Sequence, residues 1–181
     1  PRFVLANVGK VIDGDWDLAG TPFAQNNIYR LLRERFVDGV PWDETEVWQR
    51  FAADIALGER RWHWSASVEE LWAAARETEA LYESIRKNGY RPAGSNGRGG
   101  GIDEITVSIG RDGELLYCNV GGHHRLSIAK ILEIERVPVR VLLRHRRWQD
   151  VRDEVRASGH AAGASGCAAK LLEHPDLQDL R

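Results

Sequence analysis

Residues 119–130 read Asn-Val-Gly-Gly-His-His-Arg-Leu-Ser-Ile-Ala-Lys, and this stretch decides how the rest of the chain is interpreted. It joins the end of a predicted strand to the start of a predicted helix. The backbone N–H groups there lack intrahelical partners and the helix dipole is positive. The two glycines let a ligand approach the backbone closely, and Arg125 can hold an anion with two parallel hydrogen bonds. The pattern predicts either a phosphate-binding turn or a tight turn with solvated side chains at His123 and His124.

The sequence around this stretch predicts a mixture of strands and helices. Residues 104–109 and 114–119 flank Gly-Arg-Asp-Gly, which is typical of a β-hairpin. Further along, the apolar spacing predicts a helix over 126–132, a strand over 136–143 and a helix over 148–156. We therefore expect an α+β fold, with a small mixed sheet flanked by helices.

The front of the chain predicts mainly helices. Residues 3–12 favour a short strand or an extended lead-in, and helical apolar spacing begins at Asn26. Asp43 can cap a second helix. Ser67, with a glutamate three residues later, forms a capping box that predicts a helix over 67–88.

Tryptophan is unevenly distributed, because six of the seven lie in the first 72 residues. Indoles are costly to leave in water, so this part should pack around them or present some of them to a planar ligand. Their helical or capping contexts favour burial of Trp42, Trp48 and Trp72. Residues 60–64, Arg-Arg-Trp-His-Trp, interleave basic and aromatic side chains. They are either a surface loop with a buried tryptophan or a clamp for a nucleotide or single-stranded nucleic acid.

An ordered set of motifs across residues 79–143 resembles the ParB/sulfiredoxin superfamily. The set comprises a Ser-Ile helix, a Gly/Pro segment, the hairpin, a Gly-His-His-Arg helix and a Val-Pro-Val strand, at residues 81–85, 88–92, 104–119, 121–130 and 137–139. The resemblance covers about a third of the chain and implies a ParB/sulfiredoxin-like core. The Trp-rich helical N-terminal half has no such match.

Members of this superfamily differ in the sequence of the Gly-His-His-Arg box. Sulfiredoxins carry a cysteine where this chain has His123, so sulfinic-acid reduction through that position is not expected. Chromosome-partitioning members carry Gly-Glu-Arg-Arg and a DNA-reading domain after it, which we do not expect here. Free serine kinases carry Asp-Gly-His-His-Arg, the most similar spelling, with an aspartate where this chain has glycine. The resemblance implies that nucleotide phosphates bind at Gly121, Gly122, His123, His124 and Arg125.

Carboxylates earlier in the chain are candidates for the role of that missing aspartate. Asp15 and Asp17 could hold Mg²⁺ together with water and phosphate oxygens, or one of them could act as a general base. The alternative is a solvated acidic turn. The family's kinases place an essential glutamate upstream of the Ser-Ile helix, which makes Glu70 a further catalytic candidate beside His124. The alternative role for Glu70 is helix capping.

Composition restricts the other function classes. The 181 residues are 43% hydrophobic and 29% charged, which is ordinary for a globular protein, and no apolar run approaches the roughly 20 residues of a membrane span. We therefore expect a cytoplasmic protein without a membrane partner. A net charge of -2 argues against nucleic-acid binding by bulk charge, though not by a local basic patch. Two cysteines without Cys-x-x-Cys spacing do not predict a disulfide framework or a zinc site.

The expected organisation is one α+β domain over residues 1–156, with a Trp-rich helical front half (1–66) and a ParB/sulfiredoxin-like core (67–156). A flexible linker and a short C-terminal helix are expected over 157–181. Within the core, the glycine-rich residues 93–101 predict a mobile loop or a ligand-covering flap.

The resemblance implies a nucleotide-dependent phosphotransferase, kinase-like, that acts on a small hydroxylated molecule. Its cofactors would be ATP or another nucleotide and Mg²⁺. Two alternatives stay open: a ParB-like nucleic-acid-binding or nuclease module, and a non-catalytic nucleotide-binding regulatory domain. The sequence does not predict the oligomeric state.

Overall fold

A computed structural model describes residues 2–92, 104–157 and 173–180. Its elements, in chain order, are α1 (Arg2–Ala6), β1 (Val11–Ile12), α2 (Asn27–Phe36), α3 (Glu46–Ala56), α4 (Val68–Asn88), β2 (Thr106–Ile109), β3 (Leu115–Tyr117), α5 (His123–Ile131), β4 (Arg140–His145) and α6 (Arg146–Ala157). Helices and a four-stranded mixed sheet together confirm the predicted α+β class.

The chain divides into two compact units, each assembled from separate segments. The sheet unit comprises Pro1–Gly20, Thr106–Cys118 and Arg140–Arg181, and the helical unit comprises Thr21–Ile105 and Asn119–Val139. The predicted boundary between residues 66 and 67 falls inside the helical unit. The prediction of a single domain over 1–156 stays a prediction.

The sheet unit is built on strands in the order β1-β4-β2-β3. β4 pairs in parallel with β1 and β2, and β2 pairs with β3 in the predicted antiparallel hairpin. The hairpin turn packs closely, because a Cβ on Gly113 would lie 2.5 Å from the ring of Trp148. Asp176 attaches the C-terminal turn to β4 and α6, because its carboxylate accepts hydrogen bonds from Arg144 at 2.6 Å and from the indole N–H of Trp148 at 2.9 Å.

The helical unit packs α2, α3, α4 and α5 around an aromatic core. Trp42 and Trp48 are buried, as predicted, and Trp72 packs half-buried against them. The helix starts agree with local capping chemistry. Asn26 accepts from the N–H of residue 28 at 2.9 Å, and Ser67 accepts from the N–H of residue 70 at 3.2 Å.

Some predicted elements have different boundaries. Asp43 does not cap α3; it lies in a 3-10 turn, and the next residue but one, Thr45, accepts the capping N–H of Trp48 at 3.3 Å. α5 begins three residues before the predicted start at 126, because the left-handed Gly122 turns the chain directly into the helix. At the N-terminus, the predicted strand is reduced to β1, since α1 precedes it.

Two predictions lie outside the described residues: the glycine-rich loop at 93–101 and most of the linker and helix at 157–181, of which the structure describes 157 and 173–180. The latter stretch contains a 3-10 helix, Pro175–Leu180. Among the described residues, no helix combines the length and apolar character needed to cross a membrane.

Candidate anion-binding site

The first turn of α5 presents backbone N–H groups without a side-chain cap. Its N-cap residue, Gly122, has φ 72° and ψ 15°, and no side chain caps the helix. The first hydrogen bond of the helix runs from the N–H of Leu126 to the carbonyl of Gly122 at 2.8 Å. The N–H groups of residues 123–125 have no acceptor within the described part of the chain. Such donors, at the positive end of a helix dipole, favour an anion.

The position of this turn is fixed by close backbone packing. A Cβ on Gly122 would lie 2.5 Å from both Cα and N of Ile105. No side chain fits into that space, and the left-handed backbone also favours glycine. The motif glycine therefore has a structural reason that is independent of any ligand.

A tryptophan from the core sets the protonation state of His124. The indole Nε1 of Trp62 lies 2.5 Å from Nε2 of His124. Because an indole N–H can only donate, Nε2 accepts and the imidazole proton sits on Nδ1. Burial lowers the pKa of His124 well below its ordinary value, and the nearby His123 and His63 lower it further. His124 is therefore neutral near pH 7, with one remaining donor at Nδ1.

Two more histidines surround this group. Nε2 of His63 lies 3.2 Å from Nε2 of His124, and the rings of His123 and His124 have centroids 4.1 Å apart. The pKa of His123 is also lowered, first by burial and then by His63. The imidazoles of His123 and His124 therefore offer hydrogen bonds here with little positive charge of their own.

Arg125 supplies the permanent positive charge of the turn. Its Nη1 donates to the carbonyl of Arg91 at 2.9 Å, and its guanidinium lies 5.8 Å from the ring centroid of Tyr90. The Tyr90 hydroxyl donates to Glu104 at 2.9 Å, and burial followed by this hydrogen bond raises the pKa of Tyr90. The side chain of Arg125 is thus held through Nη1, and the rest of its guanidinium can donate to a ligand.

These groups line a pocket of about 410 Å³, which is formed by α4, the turn and the start of α5. Its lining residues are His63, Glu77, Thr78, Leu81, Val120, Gly121, Gly122, His123, His124 and Arg125. The five phosphate-site residues predicted from the motif are therefore brought together around one cavity. Their ligand stays a prediction.

Glu77 contributes a carboxylate to the described lining of this pocket, and the sequence motifs did not predict it. Its Oε2 lies 3.8 Å from Nδ1 of His63, and most of its side chain is exposed. The available signal was its spacing, because it follows Glu70 by seven residues and so lies on the same side of α4. Glu70 itself accepts the N–H of Ala66 at 2.6 Å and acts as a helix cap. Among the described residues, Glu70 is not part of the pocket lining.

Asp15 and Asp17 belong to the sheet unit, where both pair with Arg111. The carboxylate of Asp17 is buried and accepts from the Arg111 backbone N–H at 2.8 Å and from Nε at 2.9 Å. Its other oxygen accepts from Nη2 at 2.7 Å. The side-chain hydrogen bond with Arg111 holds the pKa of Asp17 well below its usual range.

This arrangement does not fit Mg²⁺ at Asp17, because both of its oxygens already serve a cation. Asp15 is exposed but also bonds to Arg111, at 2.8 Å. In the part of the chain that the structure describes, no three His, Cys, Asp or Glu side chains are grouped to hold a metal ion. The chemistry that Asp15 and Asp17 support is a structural ion pair.

Comparison with protein-family models, with curated proteins and with solved structures finds no match for this chain. The ParB/sulfiredoxin resemblance therefore stays a prediction from the motifs in residues 79–143.

Proposed function

We propose that the helical unit binds the phosphates of a nucleotide at the N-terminus of α5 and transfers a phosphoryl group to a small hydroxylated molecule. The observation that carries the proposal is the pocket itself. It combines open N–H groups at residues 123–125, the guanidinium of Arg125 and the carboxylate of Glu77. The first two stabilise phosphate charge, and the third can accept a proton.

The neutral histidines suit this role because phosphate oxygens only accept hydrogen bonds. With Nε2 of His124 occupied by Trp62, its Nδ1–H is the donor that remains for a ligand. A bound phosphate also stabilises the protonated form of His123, whose ring nitrogens are not engaged by Trp62, so nucleotide binding should be accompanied by proton uptake at His123.

In the proposed reaction, the acceptor hydroxyl gives its proton to Glu77 while its oxygen bonds to the terminal phosphorus. The bond from that phosphorus to the bridging oxygen breaks, and the nucleoside diphosphate leaves with the electron pair. Arg125 and the α5 N–H groups stabilise the charge on the transferred group, which is the main task in phosphoryl transfer. Mg²⁺ bound to the nucleotide would neutralise phosphate charge. No step is assigned to Asp15 or Asp17.

Calorimetric titration with ATP, ADP and CTP in the presence of Mg²⁺ tests the binding part of the proposal. Wild-type protein should bind a nucleotide, and Arg125→Ala should weaken binding about tenfold, since it removes a charge-assisted contact of about 1.5 kcal/mol or more. Arg86→Ala is the matched control, because Arg86 pairs with Glu83 on the exposed face of α4. Absence of binding by any of the three nucleotides would overturn the proposal.

Release of ADP from ATP, with serine and other small hydroxyl compounds as acceptors, tests the transfer step. Glu77→Gln should retain nucleotide affinity and lose turnover by about 10²-fold or more, as expected for a general base. Glu83→Gln on the same helix should keep full turnover. If nucleotide binds but wild-type protein never turns over, the regulatory alternative is correct. Its supporting observation is glycine at position 121, where the kinases have aspartate.

A further inference from the structure

The side chain of Trp64 is exposed to solvent. It is 79% exposed, whereas Trp62 two residues earlier is 5% exposed. Within the described residues, the Trp64 indole has no ring partner and no hydrogen-bond acceptor; only its backbone carbonyl is engaged, by Arg60. An exposed indole offers the apolar face of its ring to a planar ligand.

The backbone that presents this indole is strained and firmly held. His63 and Trp64 have φ of 56° and 61°, two consecutive non-glycine residues in the left-handed region. Such strain persists only where the surroundings enforce it, and it clusters at functional sites. Here the N–H of Ser65 donates to the carbonyl of Trp62 at 3.1 Å, and Nη1 of Arg60 donates to that of Trp64 at 3.1 Å.

This conformation gives two neighbouring residues different environments. His63 lines the pocket, with its Nε2 3.2 Å from Nε2 of His124, while the next side chain stands in solvent. Consecutive Cα atoms are about 3.8 Å apart. The backbone of Trp64 therefore lies next to a residue that lines the pocket, and the carbonyl of Trp64 is held by Arg60.

We propose that Trp64 is a stacking platform for the nucleobase of the nucleotide whose phosphates occupy the α5 pocket. This inference rests on the proposed function and adds the part of the ligand that the phosphate groups do not specify. An exposed indole fits a planar heterocycle, and stacking tolerates any base because every base has a π face. The site should therefore favour nucleoside triphosphates over inorganic triphosphate, with little choice among bases.

Calorimetric affinities for ATP, CTP and inorganic triphosphate test the proposal in the full chain. Wild-type protein should bind the two nucleotides about tenfold more tightly than inorganic triphosphate, from the usual strength of base–aromatic stacking. Trp64→Ala should abolish this preference, and Trp64→Phe should retain part of it. Leu57→Ala is the matched control, because Leu57 is also an exposed apolar residue of the helical unit, at 83%, and should change nothing.

The remaining outcomes separate the two proposals. Equal wild-type affinity for ATP and inorganic triphosphate overturns the stacking platform and leaves the phosphate site standing. The stacking platform is also overturned if Trp64→Ala keeps the preference for nucleotides. It is overturned as well if Trp64→Ala weakens the binding of all three ligands equally. If wild-type protein binds none of the three, the proposed function fails and the platform fails with it.

Discussion

The indole N–H of Trp62 donates to Nε2 of His124 across 2.5 Å, so a residue of the aromatic core determines the tautomer of a residue in the candidate site. The two residues are 62 positions apart in the sequence. Core packing and site chemistry are therefore coupled in the helical unit, and the first prediction follows from that coupling.

Replacing Trp62 with Phe should raise the pKa of His124. The change removes the N–H donor that competes with a proton for Nε2, and it should also cost about 1–3 kcal/mol of stability from lost packing and a lost hydrogen bond. An NMR titration of the imidazole measures the pKa, and urea unfolding measures the stability. The control is Trp72→Phe, which alters the same core at a ring that packs on Trp48. A His124 pKa that moves equally in both variants would contradict the coupling.

Stability should fall as the pH drops below about 6.5, because the pKa values of His123 and His124 are lowered by burial. The unfolded chain takes up protons near pH 6.5, its ordinary histidine pKa, while the folded chain stays neutral at these positions. The stability that they contribute is thus complete above pH 6.5 and declines below it. The slope is at most about 1.4 kcal/mol per pH unit for each such histidine.

Urea unfolding at several pH values between 5.5 and 8 measures this dependence. His124→Gln keeps an acceptor for Trp62 but removes the titrating ring, so its slope should be shallower than that of the wild type. The same slope in both proteins would show that His124 is protonated in the folded state.

Gly122→Ala should be far more damaging than a glycine substitution in open space. Alanine at a left-handed position costs about 1 kcal/mol, and at Gly122 its Cβ would also meet the backbone of Ile105 at 2.5 Å. Gly39 is the matched control, since it has φ 75° and nothing within 4 Å of an added Cβ. Thermal unfolding should show a loss of about 1 kcal/mol for Gly39→Ala and a clearly greater loss, or failure to fold, for Gly122→Ala. Equal losses would mean that the turn can move away from Ile105.

Asp17→Asn should destabilise the protein by roughly 2 kcal/mol, because it weakens several charge-assisted hydrogen bonds to Arg111. Asp15→Asn, at an exposed position, should cost much less. Unfolding midpoints with and without Mg²⁺ distinguish an ion pair from a metal site. We expect no Mg²⁺ dependence in wild type or variant. Stabilisation of the wild type alone by Mg²⁺ would restore Asp17 as a metal ligand.

The elements that the sequence predicted well depend on interactions between near neighbours. Ser67 and Glu70 define the start of α4 through hydrogen bonds that span three or four residues. The Asp-Gly turn likewise defines the hairpin through local contacts. The Gly-Gly-His-His-Arg segment likewise indicated the helix N-terminus, although the helix starts earlier than its apolar spacing suggested. The same locality explains the error at Asp43, because Thr45, two residues later, is also a common type of helix cap.

The α+β class, the Ser67 cap of α4 and the hairpin turn follow from the sequence alone, because they depend on apolar periodicity and on hydrogen bonds between residues close in the chain. The distant groups that join the first turn of α5 are set by tertiary packing. It brought Trp62, His63 and Glu77 to His124, and it engaged Asp17 with Arg111, 94 residues away. These pairings depend on how whole elements pack against each other. The sequence around a carboxylate therefore does not identify the distant cation that pairs with it.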